Sequence, residues 1–210
     1  MAFPAEVVLA SGNAHKYAEL KSLLAPVGIS LVFGPERASL DVEESGKTYA
    51  ENALIKAKAW SRELGMPALA DDSGLETRAL GWEPGVYSSR VAGSDPERIQ
   101  WLLGRLKDRA DRTARFVACL ALVWPEARGT KVALAEGLCW GTIAMEASGL
   151  SGFGYDPVFV PKGHERTFAD LGDSVKSRIS HRSVASRALQ DILKSPSMVK
   201  SLSVRFCETD

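Results

Sequence analysis

Apolar and polar positions along this chain fall into blocks whose period switches between that of a strand and that of a helix. Glu6 to Ala10 is a short apolar run, broken by Ser11-Gly12-Asn13. Tyr17, Leu20 and Leu24 then recur at helical spacing with Asn13 as N-cap, which predicts a helix over 14–25, stopped by Pro26 and Gly28. Ile29 to Phe33 reads as a second strand, so the chain opens as a βαβ unit. Thr48-Tyr-Ala-Glu51 matches a capping box, and Ala50, Ala53, Leu54, Ala57, Trp60 and Leu64 stripe the helix behind it. Pro67 to Leu75, PALADDSGL, is an apolar run that ends in two acids, a hydroxyl and a glycine, and predicts a buried strand stopping at the acids. Asp95-Pro96 reads as an N-cap followed by a proline at the first helical position, opening a helix to about Lys107 with Ile99, Leu102, Leu103 and Leu106 inward, and the stretch over 105–115, rich in both charge signs, reads as a solvated connection. Ala114 to Trp124 and Lys131 to Cys139 predict an antiparallel hairpin, with Trp140 to Ala144 extending or following it. A glycine-rich loop over 148–157, a strand at 158–160 and a last helix over 183–193 complete the pattern.

Strands alternating with helices, one pair antiparallel, predict an α/β fold on a mixed sheet. No repeat or linker divides the chain, so one two-lobed domain over 1–195 and a loosely held tail over 196–210 are expected. The 210 residues are 45% hydrophobic and 25% charged, ample for a core. The formal net charge is zero, which leaves no bulk field for a nucleic-acid polymer or an acidic membrane. Cys119, Cys139 and Cys207 are widely spaced and odd in number, as expected of reduced thiols in the cytoplasm. No secretory signal is evident at the N-terminus, and the longest apolar run, 116–124, is too short to span a bilayer.

Candidate chemistry collects at five places. In PALADDSGL, Asp71 and Asp72 must point to opposite faces of a strand, so one acid at most enters a site; the plainer reading is a strand ending in a turn. SGNAHK joins a strand to a helix N-terminus, where backbone N–H groups attract anions and Lys16 adds charge, although it is no Walker motif and also reads as a simple cap. The loop over 34–47 carries Asp41, Glu43 and Glu44, either solvated or able to offer a carboxylate to Mg²⁺. Asn52 and Lys56 share one helix face. In SGLSGFGYDP, Phe153 suits stacking on a flat ring, whereas Tyr155 is better placed to anchor the loop. Lys176, Arg178, His181 and Arg182 form a compact cationic cluster, solvated or anion-binding.

SGNAHK, EESGKTYAENALIKA, LADDSGL, PGVYSSR, SGFGYDPVF and KSRISHR occur in this order, and together they resemble the inosine triphosphate pyrophosphatase family over roughly residues 6–193. The resemblance implies an elongated twisted sheet with flanking helices, two lobes around a central active-site cleft, and a homodimer. It implies Mg²⁺-dependent hydrolysis of ITP, dITP and XTP to the monophosphate and pyrophosphate. Matched motif by motif, Ser11, Gly12, Asn13, Ala14, His15 and Lys16 form the triphosphate loop. Glu43 and Asp72 bind the metal, Asp72 is also the general base, and Lys56 faces the phosphates. Ser73, Phe153, Gly154, Tyr155, Asp156, Lys176, His181 and Arg182 contact the nucleotide, while Asp71 is a supporting acid. Trp82-Glu83 departs from the family pattern, which often has a second glycine before Pro-Gly, and the tail runs longer than the family's. Two other functions remain open at this level: a pyrophosphatase for other modified nucleotides such as pyrimidines, and a nucleotide-binding protein without catalysis.

Overall fold

A computed structural model describes residues 6–126 and 129–194; the expected tail over 196–210, with Cys207, lies outside the described residues. The elements run β1 (Glu6–Leu9), α1 (Ala14–Leu24), β2 (Ser30–Phe33), α2 (Tyr49–Leu64), β3 (Ala68–Thr77), α3 (Asp95–Arg105), β4 (Thr113–Glu126), β5 (Gly129–Ile143), β6 (Phe159–Pro161), α4 (Phe168–Leu171), α5 (Asp173–Ile179) and α6 (His181–Lys194). The six strands form one mixed sheet in the order β2-β1-β3-β4-β5-β6. β1 pairs in parallel with β2 and β3, and the remaining pairings are antiparallel.

The long strands β3, β4 and β5 carry apolar cores towards both of their ends. Towards one end, Leu69, Leu120 and Leu122 pack against Leu20 and Leu24 of α1 and Ala185 and Leu189 of α6. On the opposite face at that end, Ala68, Ala70, Ala121 and Val123 meet Ala53, Ala57 and Trp60 of α2. Towards the other end, Leu75, Phe116, Cys139 and Ile143 pack with Leu102 and Leu106 of α3 and with Tyr155, Phe159 and Phe168. The Asp71-Asp72-Ser73-Gly74 segment lies between these cores, with Cys119 and Val117 of β4 opposite Asp72 and Gly74 in a smaller cluster with Tyr49.

Three expectations change. β3 does not stop at its acids: it runs to Thr77 and stays paired with β4 from Ala68 opposite Val123 to Thr77 opposite Ala114. β4 continues the ladder past both acids, and groups on the other edge find separate partners: the Asp71 carbonyl accepts from Lys16 and Lys56, and the Leu75 N–H donates to Ser88 Oγ. Asp95 is not the cap of α3; Ser94 is, and its hydroxyl and Glu97 form a reciprocal capping box that leaves the Asp95 carboxylate for other work. The charged stretch over 105–115 is only partly a solvated connection. The Arg112 guanidinium donates to the carbonyls of Ile143 (2.6 Å), Ala144 (2.6 Å) and Leu106 (3.2 Å), and Thr113 already belongs to β4.

Trp82 adopts φ 72°, the left-handed conformation that glycine takes most readily. Its ring meets Trp140 edge-on with centroids 6.0 Å apart, and Arg115 lies over both rings.

α6 lies directly against β5. A Cβ on Gly137 would stand 2.2 Å from the His181 carbonyl and 2.3 Å from the Ala185 nitrogen, so only glycine admits this approach. Gly137→Ala is expected to push the first turn of α6 off the sheet and to cost about 1–3 kcal/mol, as overpacking does. Thermal unfolding should show this as a clear fall in Tm; an unchanged Tm would mean that the α6 contact is not tight.

Candidate functional site

The central segment of β3 crosses a cleft of about 410 Å³. On the α2 side, Asp72 Oδ1 accepts from Lys56 Nζ at 3.0 Å, and Asp72 Oδ2 accepts from Asn52 Nδ2 at 3.4 Å. Lys56 and Asn52 are four residues apart on one helix, so both reach the same acid. Lys56 Nζ also meets Glu44 Oε1 at 2.6 Å, and Glu44 is paired with Arg90 as well. Burial pushes the Asp72 carboxyl upward, opposed by the Lys56 charge. Burial works against the Lys56 ammonium, but Asp72 and Glu44 outweigh it and raise its pKa.

On the other face, Asp71 is fully buried and forms a close ion pair with Arg182 Nε from α6, while Lys16 Nζ of α1 stands 3.7 Å from Asp71 Oδ1. Burial alone would raise the Asp71 pKa, but Arg182 and then Lys16 hold it well below the carboxylate range. Arg182 Nη2 donates to Ser73 Oγ at 3.0 Å, as expected for two odd-numbered neighbours on one strand face. The pleat therefore separates the acids: Asp72 belongs to the cleft, and Asp71 belongs to the support beneath it.

The ion pairs continue as a chain. Arg182 Nη1 meets Glu19 Oε2 at 2.5 Å, Lys176 Nζ meets Glu19 Oε1 at 2.7 Å, and Lys176 Nζ also meets Asp156 Oδ2 at 2.5 Å. Asp156 Oδ2 accepts the Phe153 N–H at 2.9 Å, so the glycine loop is attached to the same chain. Gly152 (φ 79°) and Gly154 (φ 62°) place Phe153 between two left-handed residues and present its ring to the cleft. His15 stacks on that ring, with centroids 5.0 Å apart and planes 14° from parallel, and Lys176 Nζ lies 4.4 Å from the ring centre. His181 packs flat on Phe116 at 4.6 Å, and burial, followed by the neighbouring Arg182, lowers its pKa and so favours the neutral ring.

At the N-terminus of α1, the Asn13 side chain accepts the N–H groups of His15 and Lys16, both at 3.0 Å, and Ser11 Oγ accepts the Asn13 N–H at 3.1 Å. Burial, then Arg182 and Lys56, depress the Lys16 pKa; an incoming anion would relieve that stress.

Most of the expected residues meet in this one cleft: Ser11, Gly12, Asn13, His15, Lys16, Lys56, Asp72, Ser73, Phe153, Gly154, Tyr155, Asp156, Lys176, His181 and Arg182 all line it. Ala14 does not. Tyr155 is buried, and its hydroxyl donates to the Ser88 carbonyl at 2.9 Å, which anchors the loop. Glu43 is exposed and does not line the cleft; its neighbour Glu44 does. Exposure alternates along this extended segment, so adjacent acids point in opposite directions. Glu19 escaped sequence reading, although it lies three residues after Lys16 and hence on the same face of α1.

Among the described residues, no group of three or more His, Cys, Asp or Glu side chains is placed to hold a metal ion. Of the acids that line the cleft, Glu44 and Asp72 stand together on the Lys56 ammonium, which is bonded to both, and Asp41 lines it as well. Two carboxylates suit Mg²⁺ when substrate phosphates and water complete its shell. No helix among the described residues is long and apolar enough to cross a membrane.

The chain is 46% identical over 188 residues to a dITP/XTP pyrophosphatase from Synechococcus sp., covering 90% of this chain and 89% of that protein. It is 46% identical over 193 residues to a dITP/XTP pyrophosphatase from Thermus thermophilus, covering 90% and 92%. Among solved structures it resembles a HAM1 protein from Coxiella burnetii at a TM-score of 0.81 and 43% identity, covering 90% of this chain and 98% of that one. The family model for the Ham1 family matches residues 7–192, and with that span and these relatives the chain belongs to the Ham1 family.

Proposed function

We propose that this chain is a nucleoside triphosphate pyrophosphatase that hydrolyses ITP, dITP and XTP to the monophosphate and pyrophosphate. The observation that carries the proposal is the joining, in one cleft, of the Glu44–Lys56–Asp72 cluster to a helix N-terminus on one side and an aromatic glycine loop on the other. The names of the relatives point the same way.

In this reading the Ser11 to Lys16 turn receives the triphosphate, and Lys16 and Lys56 offset its charge. Asp72 orients and deprotonates the attacking water. Glu44 and Asp72 would hold Mg²⁺, which would supply neutralisation of phosphate charge. Glu44 takes the role expected of Glu43. Phe153 stacks on the base, and Arg182 or the neutral His181 donates to the purine O6. A 6-amino purine would leave such a donor unpaired, at about 1–3 kcal/mol. A homodimer and a cytoplasmic location belong to the same proposal; they rest on the family resemblance and on the free, buried thiols of Cys119 and Cys139.

Incubation with ITP and Mg²⁺ should yield IMP and pyrophosphate. IDP and phosphate would contradict the cleavage site, preference for a pyrimidine would contradict the substrate class, and binding without turnover would leave a non-catalytic protein. Asp72→Asn should lower kcat about 10²–10⁴-fold while Tm stays close to the wild type. Asp71→Asn should keep more activity but lose about 3 kcal/mol of stability, because buried Arg182 loses one of its two counter-charges. Equal activity in the two variants would sink the assignment of the base. Chelation with EDTA should abolish turnover and added Mg²⁺ should restore it; turnover that survives EDTA would remove the metal from the reading.

A further inference from the structure

We infer that Asp95 is a positioning residue for base recognition: from the first turn of α3 it grips the Gly154 N–H and thereby sets the plane of the Phe153 ring. The inference rests on the nucleotide-hydrolase reading of the cleft.

The contact is specific. Asp95 Oδ2 accepts the Gly154 N–H at 2.7 Å, across 59 positions of sequence. Asp95 Oδ1 accepts from Arg98 Nη1 at 2.6 Å, and Arg98 Nε donates to the Ala92 carbonyl at 3.1 Å, so the carboxylate is itself held still. The helix does not need this side chain as a cap, since Ser94 and Glu97 close the capping box between them. Asp95, Arg98, Phe153 and Gly154 all line the cleft.

The loop needs such a grip. Left-handed glycines on both sides of Phe153 give the backbone wide freedom in the absence of ties. Asp156 holds Phe153 from within the loop, and the Tyr155 hydroxyl anchors the far side to Ser88. Asp95 supplies the tie from outside, on the residue that directly follows Phe153, and a bond from a carboxylate to a backbone N–H is among the stronger hydrogen bonds. Stacking needs the ring held parallel to the base. A loop freed from α3 must be ordered when the nucleotide binds, and that cost falls on binding. The chemistry at phosphorus stands on β3 and α2, away from this tie. Loss of Asp95 should therefore raise KM and spare kcat, and should weaken discrimination between ITP and ATP.

Asp95→Ala and Asp95→Asn are to be compared with the wild type, using steady-state kinetics on ITP and ATP and hydrogen exchange of segment 148–157 without nucleotide. Asp95→Ala should raise the KM for ITP about tenfold, as expected for one lost charge-assisted bond, with kcat changed by less than about twofold. Its loop should exchange faster, and its preference for ITP over ATP should narrow. Asp95→Asn keeps one oxygen for the Gly154 N–H but loses the charge and the second acceptor that Arg98 uses, and should fall between the wild type and Asp95→Ala on every measure. Should Asp95→Ala fail to fold, Asp95→Ser, too short to reach Gly154, takes its place. Unchanged KM and exchange in Asp95→Ala would overturn the inference, as would equal damage in Asp95→Asn or a fall in kcat alone. If the wild type itself did not hydrolyse ITP, the functional reading would fail, while the exchange data would still decide whether Asp95 orders the loop.

Discussion

The Asp71–Arg182 ion pair is the constraint on which the site depends. Both groups are buried, at 1% exposure each. Neither charge is tolerable alone in that position, because desolvation costs several kcal/mol per ion unless a partner and further hydrogen bonds offset it. The partner comes from α6 and the further contacts come from Lys16 and Glu19 on α1, so one buried acid on β3 draws two helices to one place. Gly137 makes this possible from the other side, by letting the start of α6 come down onto β5. Once α6 is seated, His181 and Arg182 have no freedom to choose where they point.

The alternation of a strand then divides the labour. Asp71 and Ser73 face α1 and α6, whereas Asp72 faces Lys56 and Asn52 of α2. A chain with zero net charge builds in this way a local site rich in ammonium and guanidinium groups. Each cation is stabilised by a nearby carboxylate, and the pairs run from Asp71 through Arg182, Glu19 and Lys176 to Asp156. This chain joins the strand that carries the acids to the loop that carries Phe153. It is rigid because each link is short and buried or half-buried, and because most links bridge two different elements.

Local signals were legible where the physics is local. The capping box of Thr48 and Glu51, the Asn13 cap and the β4–β5 hairpin follow from neighbours in sequence, and all three stand as read. Asp95 was misread because an Asp-Pro pair looks like a cap, whereas Ser94 and Glu97 form the stronger reciprocal arrangement. The end of β3 was misread because polar residues usually mark a turn; here β4 continues beside them and the helices supply their counter-charges. Which of Glu43 and Glu44 lines the cleft was beyond reach for a related reason. Motif matching names a segment, and only the phase of an extended backbone decides which of two adjacent acids turns inward.

The sequence by itself determined the order of elements, the mixed character of the sheet and the segments that carry the chemistry, because periodicity, caps and breakers act over a few residues. It also determined that Asp71 and Asp72 must part company, since the pleat of a strand leaves no alternative. Only the tertiary structure decided what each acid faces, that Glu44 rather than Glu43 reaches Lys56, that Glu19 links Lys176 to Arg182, and that Asp95 reaches across to Gly154. These are contacts between residues far apart in the chain. Their partners are chosen by how helices seat on the sheet and by the need to leave no buried charge unpaired, and neither of those conditions exists until the chain has folded.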